Sequence, residues 1–209
     1  AEAGKHLLAE KLVAGSLEDA RRIAAAVDAA GIAFQTGYNW RYDTAANRLR
    51  EMIADGRFGK LISIEMTFVT SDVKRRGPEH YLFDPDVSQA GFFNWLACHF
   101  LALLLYISGQ QVVGATSRVG VLSSTPVDVE DGGVALLDLS GGGLATFLGG
   151  YWVPRWAGEA HVCIRGSERW VHWDPGREGT GGVLEIHGPQ PQWYATEEEF
   201  VLPPDDVSG

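Results

Sequence analysis

The chain has 209 residues, of which 45% are hydrophobic and 11% are aromatic. This composition supplies enough apolar side chains for a buried core, which excludes a disordered or collagen-like chain. Lysine and arginine total 17 against 27 acidic residues, and the formal net charge is −10. Because an acidic surface repels phosphate groups, we expect neither nucleic acid nor an anionic membrane as a partner.

The cysteines and the apolar segments predict a cytoplasmic protein. Cys98 and Cys163 form no Cys-x-x-Cys pair, and two cysteines cannot build a disulfide framework, so we expect reduced thiols. The N-terminal residues contain no apolar run of signal-peptide type. The longest apolar stretch, residues 92–107, is broken by Asn94 and His99 and is shorter than the ~20 residues of a membrane-spanning helix. We therefore predict a buried helix there.

The first part of the chain alternates between strand and helix patterns. Residues 5–10 and residues 32–36 predict two short strands. Between them, Ser16 is the predicted N-cap of a helix that runs through Ala30 and ends at Gly31. Parallel strands need such a crossover, so this order predicts a parallel α/β unit. Two strands bury too little surface for a doubly wound sheet, and we expect this unit to be incomplete.

From residue 44 onward the pattern is a helix, residues 44–54, followed mainly by strands. A polar, proline-containing loop is predicted over residues 71–90, and a long apolar helix over residues 91–108, which Gly109 ends. The tail from Asp174 is rich in glycine, proline and acidic residues. The predicted strands are residues 61–70, 112–121, 133–139, 144–152, 161–165 and 169–173.

Glu10 and Lys11 directly follow the first predicted strand. Ligands of open α/β sheets bind beyond the carboxyl ends of the strands. A lysine held in a desolvated cleft can lose its proton near neutral pH and act as an acid or a base. From the local sequence alone, a solvated surface pair that opens a loop is the favoured alternative.

His99 lies in the middle of the predicted apolar helix. A buried histidine must satisfy its ring nitrogens, so a structural hydrogen bond is the common explanation, with acid–base catalysis as the alternative. Trp95 and Asn94 precede it by four and five residues. In an α-helix only Trp95 shares the face of His99.

Two other patterns favour structural interpretations. Residues 141–143 are three glycines between predicted strands, with no helix after them, which predicts a hairpin turn rather than a phosphate-binding loop. The six histidines show no metal-ligand spacing, so we expect no metal ion.

The tryptophans concentrate in the strand-rich half of the chain. They could stack on sugar faces, although packing in a core or at an oligomer interface is favoured. An open sheet seldom leaves a broad apolar side in water, so we expect a homo-oligomer through the sheet face. The tryptophans of this half are Trp152, Trp156, Trp170, Trp173 and Trp193.

Four segments carry a family resemblance that extends to about residue 152. They are the strand and Glu-Lys pair of residues 3–11, the helix of residues 16–31 with the GYNWRYD segment of residues 37–43, the link of residues 49–59, and the helix of residues 91–109 centred on His99. In this order they resemble the Gfo/Idh/MocA family, named after glucose-fructose oxidoreductase and inositol dehydrogenase.

The resemblance implies a fold and an activity. Members of the family bind NAD or NADP on a Rossmann domain and transfer hydride to or from a carbon of a sugar or polyol. Residues 1–43 would be the C-terminal remnant of that dinucleotide-binding domain, and residues 44–209 a substrate-binding and oligomerisation domain. The expected fold class is α/β plus α+β: a remnant of a Rossmann-type parallel sheet, then a mainly antiparallel open sheet with one long buried helix.

The resemblance also implies roles for single residues. Glu10 and Lys11 would border the nicotinamide, with Lys11 also reaching the substrate oxygen. Asn39 would lie near the cofactor, and Arg41 near the same cleft. His99 would move the proton while hydride passes to or from the nicotinamide, because oxidising a hydroxyl requires a base for its proton and a cation for the developing oxyanion.

Three features depart from the family pattern. The family's opening strand, glycine-rich turn and helix are absent from this sequence, so we expect the isolated chain to be weak or inactive. Leu12 stands where the family has proline after Glu-Lys, which predicts a trans peptide bond. Trp95 stands where the family often has aspartate, and an indole cannot relay a proton. The alternative is therefore a non-catalytic relative whose sheet domain binds a sugar or another subunit.

Overall fold

The structure, a computed structural model, describes residues 1–124, 126–154, 158–175 and 182–188, together with the backbone of residues 198–201. The chain divides into two units, Ala1–Asn39 and Trp40–Gly209. This division lies four residues before the boundary predicted at residues 43 and 44, because Trp40 packs its ring against Phe100, 5.5 Å away between ring centroids.

The first unit is a two-stranded parallel sheet with one helix. Strand β1 (Leu7–Ala9) pairs with β2 (Phe34–Thr36) in the register Leu7 to Phe34, and helix α1 (Leu17–Ala30) connects them. This confirms the predicted parallel α/β unit, although both strands are shorter than expected. The Ser16 hydroxyl accepts a hydrogen bond from the Asp19 N–H, and Gly31 ends the helix at φ 59°, as predicted.

The first unit buries no side chain completely. Leu8 is 77% exposed, Leu17 is also exposed, and α1 has no buried residue. Two parallel strands and one helix bury too little surface for a core of their own.

Within the described residues, the second unit contains one sheet of eight strands. The strands are β3 (Leu61–Thr70), β4 (Val112–Gly120), β5 (Gly132–Leu139), β6 (Leu144–Gly150), β7 (Gly158–Gly166), β8 (Trp170–Asp174), β9 (Val183–His187) and β10 (Glu198–Val201). Their order across the sheet is β10-β9-β8-β7-β3-β6-β5-β4. Only β3 and β6 pair in parallel among these strands, so the predicted mainly antiparallel sheet is confirmed.

Several predicted boundaries need correction. Strands β9 and β10 lie in the tail that was predicted without strands, because its many glycine, proline and acidic residues obscure the apolar pattern. The predicted loop of residues 71–90 contains helices α3 (Asp72–Arg76) and α4 (Pro85–Ser88), which are too short to show a helical period. The turn at residues 141–143 is the predicted hairpin, with Gly142 at φ 82°.

Helices cover one face of the sheet. Helix α2 (Thr44–Ala54) starts at Asp43, whose carboxylate accepts the Ala46 N–H at 2.9 Å. A π-helical turn (Phe93–Ala97) leads directly into α5 (Cys98–Ser108), which ends at Gly109 as predicted. On α5, Phe100 stacks on Phe68 of β3, so the helix packs against the centre of the sheet.

Helix α5 is the predicted buried helix. By length and composition alone, Pro85–Ser108 is the one stretch of the described residues that passes as a membrane span. The apolar side chains of the core helix of a soluble domain pass the same test. On α5, the apolar side chains that are almost completely buried are Phe100, Leu103, Leu104 and Ile107.

The other face of the sheet is open. Along β5 the exposed residues Val134 and Leu136 alternate with the buried residues Ala135 and Leu137. This period of two is expected for a strand with one face on a core. The exposed apolar side chains continue on β6 at Leu148.

Candidate active site

Glu10 lies where the two strands of the first unit end. Because β1 and β2 are parallel, their carboxyl ends meet at one edge of the sheet. The N–H of Gly37 donates to the carbonyl of Ala9 at 2.9 Å. A Cβ built on Gly37 would lie 3.5 Å from Oε2 of Glu10, so the exposed carboxylate flanks the segment that leaves β2.

Lys11 and Asn39 belong to the same unit. Lys11 is half-buried, and the peptide bond between Lys11 and Leu12 is cis, so the predicted trans bond was wrong. Asn39 is exposed and begins the 3-10 turn Asn39–Tyr42, two residues after Gly37. The structure therefore brings Glu10 beside the segment that carries Asn39.

His99 belongs to the second unit. It is the second residue of α5 and is half-buried, while its chain neighbours Cys98 and Phe100 are buried. Burial of its two neighbours against the core leaves the backbone of His99 little freedom. The thiol of Cys98 also contacts the carbonyl oxygen of Trp95 at 3.7 Å, which ties the start of α5 to the preceding turn.

A π-helical turn lies directly before α5 and His99. The N–H of Cys98 donates to the carbonyl of Phe93, five residues earlier, so this turn holds one residue more than an α-helical turn. The expectation that only Trp95 shares the face of His99 assumed a regular α-helix, and the segment directly before His99 is not regular.

Glu130 holds the beginning of the helix that carries His99. We call this helix, made of the π-helical turn Phe93–Ala97 and α5, the histidine helix. Its carboxylate accepts the N–H groups of Gly91 and Phe93, and its backbone carbonyl accepts the N–H of Phe92 at 3.0 Å. These are three of the four N–H groups that a helix start leaves without a partner. No side chain from the helix itself caps this turn.

Asp131, the next residue, anchors the same loop to the sheet. Its buried carboxylate accepts hydrogen bonds from the N–H groups of Leu122 and Ser123, from the Ser123 hydroxyl and from Nε1 of Trp152. Burial alone raises the pKa of Asp131, but these hydrogen bonds outweigh it and hold the pKa below its ordinary value of 3.8. We call Glu130 and its neighbour Asp131 together the Glu130–Asp131 clamp.

A buried hydroxyl lies near the clamp. Tyr151 is 3% exposed, and its hydroxyl has no hydrogen-bond partner among the residues that the structure describes. Burial raises the pKa of Tyr151 far above its usual range, and the charges of Asp72 and Glu130 add to this effect. Tyr151 is therefore neutral at physiological pH.

Arg41 packs within the second unit. Its guanidinium lies 5.1 Å from the ring centroid of Tyr106 on α5, and that of Arg50 lies 4.4 Å from the same ring. The Tyr106 hydroxyl donates to Oδ1 of Asn47 at 2.7 Å, and Nδ2 of Asn47 donates to the Arg41 carbonyl at 3.0 Å. This network holds the turn that carries Arg41 against α2 and α5.

The open face of the sheet carries charged and aromatic side chains beside its apolar ones. Glu65 on β3 and Arg165 on β7 form an ion pair at 2.9 Å. His172 on β8 lies 5.2 Å from His161 between ring centroids. Burial lowers the pKa of His172, and the neighbouring His161 lowers it further.

The tryptophans serve different purposes. Trp173 is completely buried, Trp152 donates to Asp131, and Trp170 stacks on His187 with 3.8 Å between ring centroids. The predictions for Trp156 and Trp193 lie outside the described residues. Within the described ranges, no group of three His, Cys, Asp or Glu side chains could hold a metal ion.

Sequence reasoning missed the clamp and Tyr151. Glu130 lies 37 to 39 residues from the N–H groups that its carboxylate accepts, and no local pattern reports such a contact. The sequence did contain one related feature, the glycine at position 91, where the predicted helix begins. A Cβ there would lie 1.9 Å from the Glu130 carbonyl oxygen, so only glycine can start this helix.

Residues 46–172 match the family profile "GFO/IDH/MocA C-terminal domain". The chain belongs to the Gfo/Idh/MocA family. The match starts within α2 and ends on β8, so it includes the histidine helix, the clamp and most of the sheet.

Individual relatives agree with this membership. An uncharacterized oxidoreductase of Bacillus subtilis, YrbE, is 28% identical over 122 residues, 58% of this chain and 34% of that protein. The levoglucosan dehydrogenase of Pseudarthrobacter phenanthrenivorans is 26% identical over 147 residues, 68% of this chain and 36% of that protein. The chain thus matches about a third of the length of these relatives.

The fold recurs in solved structures. A levoglucosan dehydrogenase in complex with NADH and L-sorbose superposes with a TM-score of 0.85 at 18% identity, covering 97% of this chain and 56% of that one. At this identity the likeness shows the fold alone. The fold of nearly the whole chain therefore recurs in this structure.

Proposed function

We propose that this chain is part of an NAD(P)-dependent oxidoreductase that transfers hydride between a nicotinamide cofactor and a carbon of a sugar or polyol. The observation that carries the proposal is its membership of the Gfo/Idh/MocA family. Relatives with solved structures include a dehydrogenase in complex with NADH and a sugar, L-sorbose.

The first unit fits one end of a dinucleotide. Its exposed edge, at the carboxyl ends of two parallel strands, carries Glu10, Lys11 and Asn39, and ligands of such sheets bind at this edge. The start of α1 does not suit the phosphates, because Glu18 and Asp19 lie in its first turn. We propose that Glu10, Lys11 and Asn39 border the nicotinamide. Strands outside this sequence would hold the pyrophosphate.

The proposed chemistry divides between two side chains. A nicotinamide cofactor accepts or delivers the hydride. The His99 imidazole takes the proton of the substrate hydroxyl during oxidation and returns it during reduction. The Lys11 ammonium group stabilises the negative charge that develops on the same oxygen. The side chains of Lys11 and His99 are polar and at least partly exposed, and contact with a substrate requires such exposure.

The second candidate is a non-catalytic relative whose sheet binds a sugar or another subunit. Two observations favour it. Trp95 stands four residues before His99, where the family often has an acid, and an indole can only donate a hydrogen bond. The open face also carries the exposed aromatic ring of Trp170.

The deciding experiment measures NADH and NADPH binding and polyol oxidation. It compares the 209-residue chain with the same chain extended by the residues of levoglucosan dehydrogenase that precede the matched part. We expect binding and turnover only in the extended protein. Lys11→Ala and His99→Ala should each lower kcat at least a hundredfold with the thermal unfolding temperature unchanged.

Each other outcome changes the proposal. Full activity in both variants would contradict the site assignment. Binding and turnover in neither protein would favour the non-catalytic candidate. An exposed lysine such as Lys74, changed to alanine, serves as the matched control for loss of a positive charge.

We also propose that the open face of the sheet joins two copies of the chain. The ion pair of Glu65 and Arg165 places both signs of charge on this face, so a second copy related by a two-fold axis can meet it with opposite charges. We further propose a cytoplasmic location, which the two buried cysteine thiols, Cys98 and Cys163, support.

A further inference from the structure

Two separate attachments hold the helix that carries His99. At its start, Glu130 accepts the N–H groups of Gly91, Phe92 and Phe93. Toward its C-terminal end the helix is packed in the core, beginning with Ala97, Cys98 and Phe100. The π-helical turn Phe93–Ala97 lies between the two attachments.

The two attachments explain why the turn is π-helical. A π-turn is rare because it is less favourable than an α-turn, and such turns are frequent at functional sites. Here the chain between the fixed first turn and the packed helix contains one residue more than an α-helix accommodates. The extra residue is taken up where the N–H of Cys98 reaches the carbonyl of Phe93.

The π-turn sets how the first turn of the helix is oriented relative to α5, on which His99 is the second residue. If the contacts of Glu130 were lost, the segment would be free to rewind to an α-helix, which is the more favourable form. The turn that precedes His99 thus depends on Glu130.

The clamp is itself rigidly held. The buried carboxylate of Asp131 binds two N–H groups of its own loop and the indole of Trp152, and its carbonyl accepts the N–H of Tyr151 at 2.8 Å. Glu130 is therefore connected to the end of β6 on one side and to the histidine helix on the other.

We propose that Glu130 is a positioning residue for His99: it holds the first turn of the helix so that the π-turn directly before α5 and His99 persists. The inference deepens the proposed function and rests on it for the role of His99. Glu130 itself contacts backbone N–H groups and takes no part in the proton transfer.

The first experiment tests the clamp without any cofactor. Amide hydrogen exchange is measured on the 209-residue chain for the wild type, for Glu130→Gln and for Asp128→Asn. Gln keeps the length of the side chain but offers one acceptor oxygen instead of two. Asp128 is exposed, lies in the same loop and serves as the matched control for the lost charge.

We expect Glu130→Gln to raise the exchange rates of residues 91–98 at least tenfold, with residues 100–108 and the Asp128→Asn variant unchanged. Exchange rates within twofold of the wild type in Glu130→Gln would overturn the inference. Should Glu130→Ala fail to fold, Glu130→Gln still decides the question, because it retains most of the contacts.

The second experiment separates positioning from simple stability. In the extended protein, kcat should fall in the order wild type, Glu130→Gln, Glu130→Ala, by about tenfold or more at the last step, with KM within twofold, because misplacing a catalytic group lowers the rate of the chemical step. If the unsubstituted protein shows no turnover, the proposed function fails while the exchange result still stands. If it turns over and Glu130→Ala keeps its kcat, the positioning role is wrong and the proposed function remains.

Discussion

Asp131 is completely buried, and its carboxylate accepts hydrogen bonds from Leu122, Ser123 and Trp152. In Asp131→Asn an NH₂ group would face these donors. Because hydrogen bonds to a charged group contribute more than neutral ones, we expect the free energy of unfolding to fall by about 2 kcal/mol at pH 7. Urea unfolding measures this, with the exposed residue Asp138, changed to Asn, as the matched control.

The same variant gives a pH dependence. The pKa of Asp131 is lower in the folded protein than its ordinary value of 3.8. The carboxylate therefore contributes stability that is fully present above that value and is lost as the pH falls through the folded pKa. The difference between wild type and Asp131→Asn should be constant from pH 7 to pH 5 and shrink below pH 4. A difference that grows on acidification would contradict this assignment.

The two ends of the histidine helix use glycine for different reasons. Gly91 has no room for a side chain, because a Cβ would lie 1.9 Å from the Glu130 carbonyl oxygen. Gly109 has space but adopts φ 65°, which favours glycine. We expect Gly91→Ala to lower the free energy of unfolding by about 3 kcal/mol, since backbone atoms must move. Gly109→Ala should cost only about 1 kcal/mol.

Thermal and urea unfolding of both variants test this pair. Because each change adds one methyl group at one end of the same helix, each variant is the control for the other. Equal losses, or a greater loss for Gly109→Ala, would mean that the contact between Gly91 and Glu130 is looser than the structure has it.

Local signals in the sequence predicted local features well. Gly31 and Gly109 ended their helices as expected, and β5 starts within one residue of its predicted start and ends at its predicted end. The clamp could not be predicted, because Glu130 and Gly91 are 39 residues apart and meet only in the folded sheet. The π-turn was missed for a related reason, since it arises from two distant attachments rather than from the composition of residues 93–97.

The whole second unit has one covered and one open face. The helices bury one face of its sheet, while on the other Val134, Leu136 and Leu148 remain exposed. Exposed apolar side chains that are contiguous on one face indicate an interaction surface. The net charge of −10 keeps copies of the chain apart at long range, so association must depend on such close contacts.

Two equally exposed leucines test the proposed pairing of sheets. Leu136 on the open face and Leu105 on α5 are each 43% exposed. Leu136→Lys should weaken self-association at least tenfold, about 1.4 kcal/mol, because it places a charge in the interface. Leu105→Lys makes the same chemical change on the helix layer and should leave association unchanged. Sedimentation equilibrium gives both constants. A wild-type chain that stays monomeric at high concentration, or equal weakening by both variants, would contradict an interface on the open face.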